Sequence, residues 1–318
     1  MSTDLARSEV VSNIHSAQPT SQTSSEPESR VAFRNVLMAT DFSKCSERAL
    51  RYAIGIACRY GATLHLFHWV DPTAYRMVGE DAVQMAVEAA WRDLQQLDTD
   101  LVVKGLLRSI ADKVIVEQGE LSDVLPRVIA SHAIDAIIIG THGRTGWKKM
   151  VLGSVAEKIF REVRCPVLTV GPNVVRSRVK DDGAHDILYP TDFSPQSRAA
   201  EAYAFSISEK YSGRLTLLRV LETETKAREP VCVERAKAEL LSLAEWHHRE
   251  TDNTEFMVKT GPPADVILRA AGQKRADLIV LGVKARRAFA DRLMWPNAYR
   301  IVCESLCPVL TVRTLADQ

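Results

Sequence analysis

Residues 140–154 read Gly140-Thr-His142-Gly143-Arg144-Thr-Gly146-Trp-Lys148-Lys149-Met-Val-Leu-Gly153-Ser154. Glycines, hydroxyls and cations in this order suit the holding of phosphate. Gly140 and Gly143 allow backbone conformations and close approach that a Cβ would block, and Gly153 lets a phosphate sit against the main chain. Ser154 is expected to be the N-cap of a following helix, with a hydroxyl that can also donate. Two better-known phosphate loops are excluded by inspection. The Walker pattern needs Gly-Lys-Ser/Thr, and the chain contains no Gly-Lys pair; the dinucleotide fingerprint needs G-x-G-x-x-G, which Gly140, Gly143 and Gly146 do not satisfy. What remains is G-x2-G-x9-G-S. Without a ligand, the same glycines would make an ordinary strand-to-helix connection.

Such a loop works only if a strand and a helix aim it. Ala136-Ile-Ile-Ile139 is a short apolar run of buried-strand type. Val155 to Val163 reads as an amphipathic helix with Val155, Ile159, Phe160 and Val163 on one face. A helix that starts there turns free backbone N–H groups and the positive end of its dipole toward an anion.

The chain also repeats itself. Asn35-Val-Leu-Met-Ala39-Thr40-Asp41-Phe-Ser43 returns as Asp186-Ile-Leu-Tyr-Pro-Thr191-Asp192-Phe-Ser194, 151 positions on, and Leu64–Asp71 returns as Leu215–Glu222. From Gly119/Gly261 onward the offset is 142, through Gly140/Gly282 to Cys165-Pro-Val-Leu-Thr-Val170 and Cys307-Pro-Val-Leu-Thr-Val312. The second copy is therefore nine residues shorter between the positions of Asp71 and Gly119.

Each copy alternates strands and helices, with first-copy strands expected near Val36–Thr40, Leu64–Val70, Val114–Gln118, Ala136–Gly140 and Val167–Val170. Helical patterns at Ser46–Tyr60 and Leu121–Ser131 lie between them. Alternation of this kind implies an α/β protein with parallel sheets covered on both faces, binding ligands at the carboxyl ends of the strands. Thr40-Asp41, Trp69-Val70 and Gly140 lie at those ends.

Length suits two domains. Expected bounds are a disordered tail over 1–30, a first domain over 31–172 with the intact loop, a linker over 173–183, and a second domain over 184–318 with a degenerate loop. The tail is polar and low in aromatics. The balance of 41 basic against 40 acidic residues gives no electrostatic footprint for nucleic acid or an anionic membrane. No apolar run reaches the ~20 residues that span a bilayer, and the N-terminus lacks a hydrophobic signal core, so a cytoplasmic location is expected.

The loop spacing, Thr40-Asp41-Phe42-Ser43, the Leu66-Phe-His-Trp-Val-Asp71 strand end and Cys165-Pro-Val-Leu together resemble the universal stress protein family. The resemblance runs from about Phe33 to Thr314, and the whole chain is similar to tandem universal stress proteins. It implies two Rossmann-like domains, each a five-stranded parallel sheet with helices on both faces, packed as a pseudo-twofold pair through their last strands, Val167–Val170 and Val309–Val312, whose edges would otherwise stay unpaired. It also implies an ATP-binding stress-response regulator. Carried across by position, ATP contacts fall on Ala39, Thr40 and Asp41, with Asp41 near the ribose or a Mg²⁺ ion. Trp69 and Val70 would lie beside the adenine, and Ile139, Gly140, His142, Gly143, Gly153, Ser154, Val155 and Ala156 around base, sugar and phosphates. Arg144, Lys148 and Lys149 would lie over the phosphates or simply face solvent. Trp69 has core packing as its plain alternative, and Asp41 a helix N-cap. Partners implied are the nucleotide, a protein that the residues do not identify, and the other domain of the same chain, with homodimerisation left open.

The second copy departs from the motif at the loop. Gly143 becomes Ala285, and Gly153-Ser154 become Trp295-Pro296. An indole where main chain must approach phosphate, followed by a residue without an N–H, predicts one competent site per chain, in the first half. The six cysteines are expected to be reduced thiols, and those before Pro166 and Pro308 small buried hydrophobes. Cys303 and Cys307 lack a second Cys/His pair at zinc-like spacing, and His247-His248 and the alternating His65 and His68 read as structural or surface residues, so no side-chain metal site is expected. No G-x-S-x-G, H-E-x-x-H or Cys/His signature appears, so no catalytic residue is assigned, although His142 stands inside the loop. A binding module is favoured over a true ATPase or adenylyl-transferring enzyme, and over a chaperone-like assembly protein with incidental nucleotide.

Overall fold

Val36, Leu37 and Met38 are all buried, so both faces of their strand are covered. The same holds for Ile137, Ile138 and Ile139. Continuous apolar strands of this kind lie between two layers of helices in a parallel sheet.

The structure, a computed structural model, describes residues 31–141, 152–174, 184–222, 230–247, 253–284 and 296–314. The first half runs β1 (Asn35–Ala39), α1 (Lys44–Tyr60), β2 (Thr63–Val70), a 3-10 turn (Pro72–Tyr75), α2 (Glu80–Val103), β3 (Asp112–Gln118), α3 (Leu121–Ser131), β4 (Ala136–Gly140), α4 (Ser154–Glu162) and β5 (Val167–Val170). The second half runs β6 (Asp186–Pro190), α5 (Pro195–Lys210), β7 (Arg214–Leu221), α6 (Pro230–Trp246), β8 (Thr254–Thr260), α7 (Pro263–Lys274), β9 (Leu278–Val283), α8 (Pro296–Glu304) and β10 (Val309–Arg313). The shortening in the second copy falls where α2 spans 24 residues and α6 spans 17. The tail, residues 175–183 of the expected linker and the loop residues 142–151 lie outside the described residues. Pro172 and Val174 are held to the first half, because Arg48 Nη1 donates to the Pro172 carbonyl at 3.1 Å.

Among the described residues the ten strands form one sheet in the order β3-β2-β1-β4-β5-β10-β9-β6-β7-β8. Within each half every pairing is parallel; β5 and β10 pair antiparallel, with Leu310 opposite Leu168. This junction removes the two edges that separate sheets would expose. Its side chains repeat about a pseudo-twofold axis, as an isologous contact requires. Thr169 Oγ1 donates to the Val309 carbonyl at 3.0 Å, and Thr311 Oγ1 to that of Val167 at 3.2 Å. On one face, the Arg59 guanidinium lies 5.2 Å from the Tyr211 ring and the Lys210 ammonium 5.3 Å from the Tyr60 ring.

Alternation along β1 splits the core into two layers. Val36 and Met38 join a cluster with α1 and α5 that spans both halves, and Leu37 joins the opposite cluster with α3, α4, α7 and α8.

Candidate functional site

In the first half the chain runs outward from β1 to β2 and β3, then crosses back to lay β4 on the other side of β1. The crevice at such a reversal lies open above the strand ends. There the structure has a cleft of ≈ 250 Å³ lined by Ala39, Thr40 and Asp41 after β1, by Phe67, His68 and Trp69 of β2, by Ile139, Gly140 and Thr141 after β4, and by Gly153, Ser154, Val155, Ala156 and Ile159 of α4. Eleven of the fourteen residues assigned from the sequence meet there or beside it, ten of them on its walls. The eleventh, Val70, is buried at the end of β2 and does not line the cleft. His142, Gly143 and Arg144, like Lys148 and Lys149, lie outside the described residues.

The turn after β1 is tightly specified. Phe42 has φ 61°, a left-handed conformation uncommon outside glycine. Local hydrogen bonds hold it: the Phe42 amide donates to Thr40 Oγ1 at 3.0 Å and the Ser43 amide to Asp41 Oδ1 at 3.0 Å. Thr40 Oγ1 also donates to Ser46 Oγ at 3.1 Å. The N-cap of α1 is Ser43, whose side chain accepts from the Ser46 amide at 3.2 Å. Asp41 is therefore not the helix cap; it supports the turn two residues earlier with its carboxylate on the cleft wall.

Two side chains from β2 complete this wall. Trp69 Nε1 donates to the Gly119 carbonyl at 2.9 Å, which ties the half-buried indole to the turn after β3 while one part faces the cleft. Packing and lining are thus both roles of Trp69. His68, read from sequence as a structural or surface residue, also lines the cleft. Its Nδ1 lies 2.7 Å from the Thr40 carbonyl, and its ring centroid is 4.9 Å from that of Phe42. Its place at the carboxyl end of β2, beside Trp69, was the available signal.

The glycines behave differently from one another. A Cβ on Gly140 would come within 2.7 Å of the Cys45 carbonyl carbon and 2.8 Å of the Ser46 amide nitrogen. Gly140 is thus required by the close approach of α1 to β4, a packing reason. Gly153 is the N-cap of α4, with φ −59° and ψ 152°. This corrects the expectation that Ser154 caps the helix: Ser154 is its first residue, and no side chain caps that end. The Gly153 amide donates to the Thr141 carbonyl at 2.7 Å. The first-turn amides of α4, which have no intrahelical acceptor, belong to residues whose walls face the cleft.

The second half builds the same turn. The Phe193 amide donates to Thr191 Oγ1 at 3.1 Å, the Ser194 amide to Asp192 Oδ1 at 3.0 Å, and Phe193 again has φ 61°. Burial alone would push the Asp192 carboxyl upward; hydrogen bonds from Ser194 and Ser197 and the Arg219 guanidinium outweigh it, leaving the pKa below the usual value. A crevice of ≈ 640 Å³ lies there, with Arg219 where the first half has His68. Trp295 and Ala285 lie outside the described residues.

Among the described residues no three His, Cys, Asp or Glu side chains group as metal ligands. No helix among them is long and apolar enough to cross a membrane. Cys307 is buried as expected, whereas Cys165 is only half-buried, with its thiol pushed up to about 12 by desolvation.

The family model described as "Universal stress protein family" matches residues 32–171 and again 183–313. A universal stress protein of Mycolicibacterium smegmatis is 24% identical over 304 residues, covering 87% of this chain and 96% of that protein. One from Methanocaldococcus jannaschii is 27% identical over 146 residues, covering 43% of this chain and 82% of its own length. In structure, a universal stress protein from Archaeoglobus fulgidus superposes with TM-score 0.68 at 19% identity, covering 88% of this chain and 98% of that one, a likeness of fold.

Proposed function

The chain belongs to the universal stress protein family, and on that premise we propose that it is an ATP-binding regulatory protein whose nucleotide occupies the first-half cleft. One observation carries the reading: the topological crevice of the first half collects Thr40, Asp41, Trp69, Gly140, Gly153 and Ser154 around one space, with the N-terminus of α4 opening into it. Asp41 is assigned to the ribose or to Mg²⁺. The β2 end at Trp69 and the β1 end at Ala39 frame the adenine, and the α4 amides from Ser154 to Ala156 receive phosphate oxygens. A bound Mg²⁺ would supply charge neutralisation between phosphates.

The chemistry assigned is binding. Asp41 Oδ1 accepts from the Ser43 amide and His68 Nδ1 donates to the Thr40 carbonyl, so both side chains support the turn, and no cleft residue among those described is assigned as a water-activating base. Hydrolysis is accordingly slow, below the roughly 1 s⁻¹ floor of ordinary enzymes. Titration calorimetry tests the reading: about one ATP per chain is expected, and two equivalent sites or none would sink it. Turnover with and without Mg²⁺ tests the second part, and a robust rate that collapses in His142→Ala at constant ATP affinity would make the protein an ATPase.

A further inference from the structure

Beside the cleft, one residue before its lining residue Gly153, the second half contacts the first. The Leu152 amide, immediately before Gly153, donates to the Tyr299 hydroxyl at 3.0 Å. Tyr299 sits on α8 and is half-buried, and its hydroxyl also engages Cys303, one turn further along that helix. Cys303 is itself buried, so the pair is anchored in the core shared by α4 and α8.

The consequence follows from backbone accounting. Two successive amides at the exit of the loop have fixed acceptors: Leu152 on Tyr299, and Gly153 on the Thr141 carbonyl at 2.7 Å. Those two bonds orient the peptide planes that lead into α4. The next amides, from Ser154 onward, then point along the helix axis into the cleft. Thr141 belongs to the first half's own strand end. Tyr299 comes from the other half; the residue at its place in the first copy, Glu157, pairs with Arg161 on its own helix.

We propose that Tyr299 is a positioning residue for the phosphate end of the first-half cleft, so that this site is built by both halves and the degenerate second copy serves as its permanent partner. This rests on the ATP reading above. It accounts for a second half whose loop has lost its glycine-serine pair while its α8 remains docked on α4.

Tyr299→Phe in the full chain tests it, because the ring and its packing stay and only the hydroxyl goes. Hydrogen exchange at the Leu152 amide should accelerate. The ATP Kd should rise about 3- to 10-fold, as for one lost hydrogen bond, while the adenosine Kd stays constant, since adenosine carries no phosphate. Equal weakening of ATP and adenosine would reveal a merely structural effect and overturn the proposal, as would unchanged ATP affinity. Were the wild-type chain to bind neither ligand, the ATP reading would fail on its own. The clamp would then be judged by Leu152 exchange, faster in Tyr299→Phe if it exists and unchanged if it does not.

Discussion

The two crevices of this molecule share a floor and differ in the sequence of the loop that follows their fourth strand. Both have a Thr-Asp-Phe-Ser turn with a left-handed phenylalanine, and both have a glycine near the end of the fourth strand where a helix crosses. The second is the roomier, ≈ 640 Å³ against ≈ 250 Å³. A crevice is thus a product of strand order, and it survives when the loop motif is lost. Competence to hold phosphate is, on the function proposed above, a separate property assigned to the residues between the fourth strand and the next helix.

The largest expected effect tests that separation. Gly153→Trp places the second copy's residue in the first, and ATP affinity should fall at least about 100-fold, since an indole displaces the phosphate from several amides at once. The fold should hold, because Gly153 has φ −59°, open to any side chain. ATP binding with unchanged affinity in calorimetry would place the site elsewhere.

Next in size are the crossing glycines. Gly140→Ala should destabilise the protein by about 1–3 kcal/mol through overpacking. Gly282→Ala should cost more, because its Cβ would stand 2.0 Å from the Gln196 carbonyl oxygen, against 2.7 Å for the nearest atom at Gly140. Denaturant titration of both variants decides the order, and a neutral Gly282→Ala would contradict the helix crossing.

A smaller contrast separates the paired aspartates. Asp41→Asn should raise the ATP Kd about 10-fold, the scale of a charged hydrogen bond, whereas Asp192→Asn should leave it unchanged. Equal effects in calorimetry would mean that the halves bind alike.

The smallest effect is on pH. His65 in β2 is buried, and that burial, with the His132 ring and Lys113 adding to it, lowers its pKa from 6.5 to about 4. The unfolded chain takes up this proton near pH 6.5 while the folded one resists until about pH 4. Its share of stability is therefore complete above pH 6.5 and lost as pH falls through that window. The second half has Thr216 at this place. His65→Thr should flatten the pH dependence of the thermal midpoint between those limits, and an unaltered slope would assign the acid sensitivity to another group.

Much of the site was legible because its signals are local. Apolar runs such as Ala136–Ile139 and the repeat itself mark the strands, and strand ends collect the binding groups in any sheet of this topology. Strand limits shifted by a residue or two, as at Asp112–Gln118, because hydrogen bonding to a neighbour sets where a strand begins. The cap was misread for a related reason: glycine and serine both suit the position, and only the backbone angles separate Gly153 from Ser154. The packing role of Gly140 was hidden too, since the atoms that exclude its Cβ come from α1, ninety-odd positions upstream.

By itself the sequence determined the α/β class, the duplication, the family and the asymmetry between Gly153-Ser154 and Trp295-Pro296, all properties of residue type and spacing along one chain. Only the tertiary structure decided that Asp41 supports a turn instead of capping a helix, and that Tyr299 meets the Leu152 amide. The first is a local choice between two short hydrogen-bonding patterns that the same residues allow, and the second joins groups 147 positions apart, whose separation carries no periodic signal. The Tyr299 contact exists because the antiparallel junction unites the two halves, and a hydrogen bond forms only after such packing has placed donor and acceptor within 3 Å or so of each other.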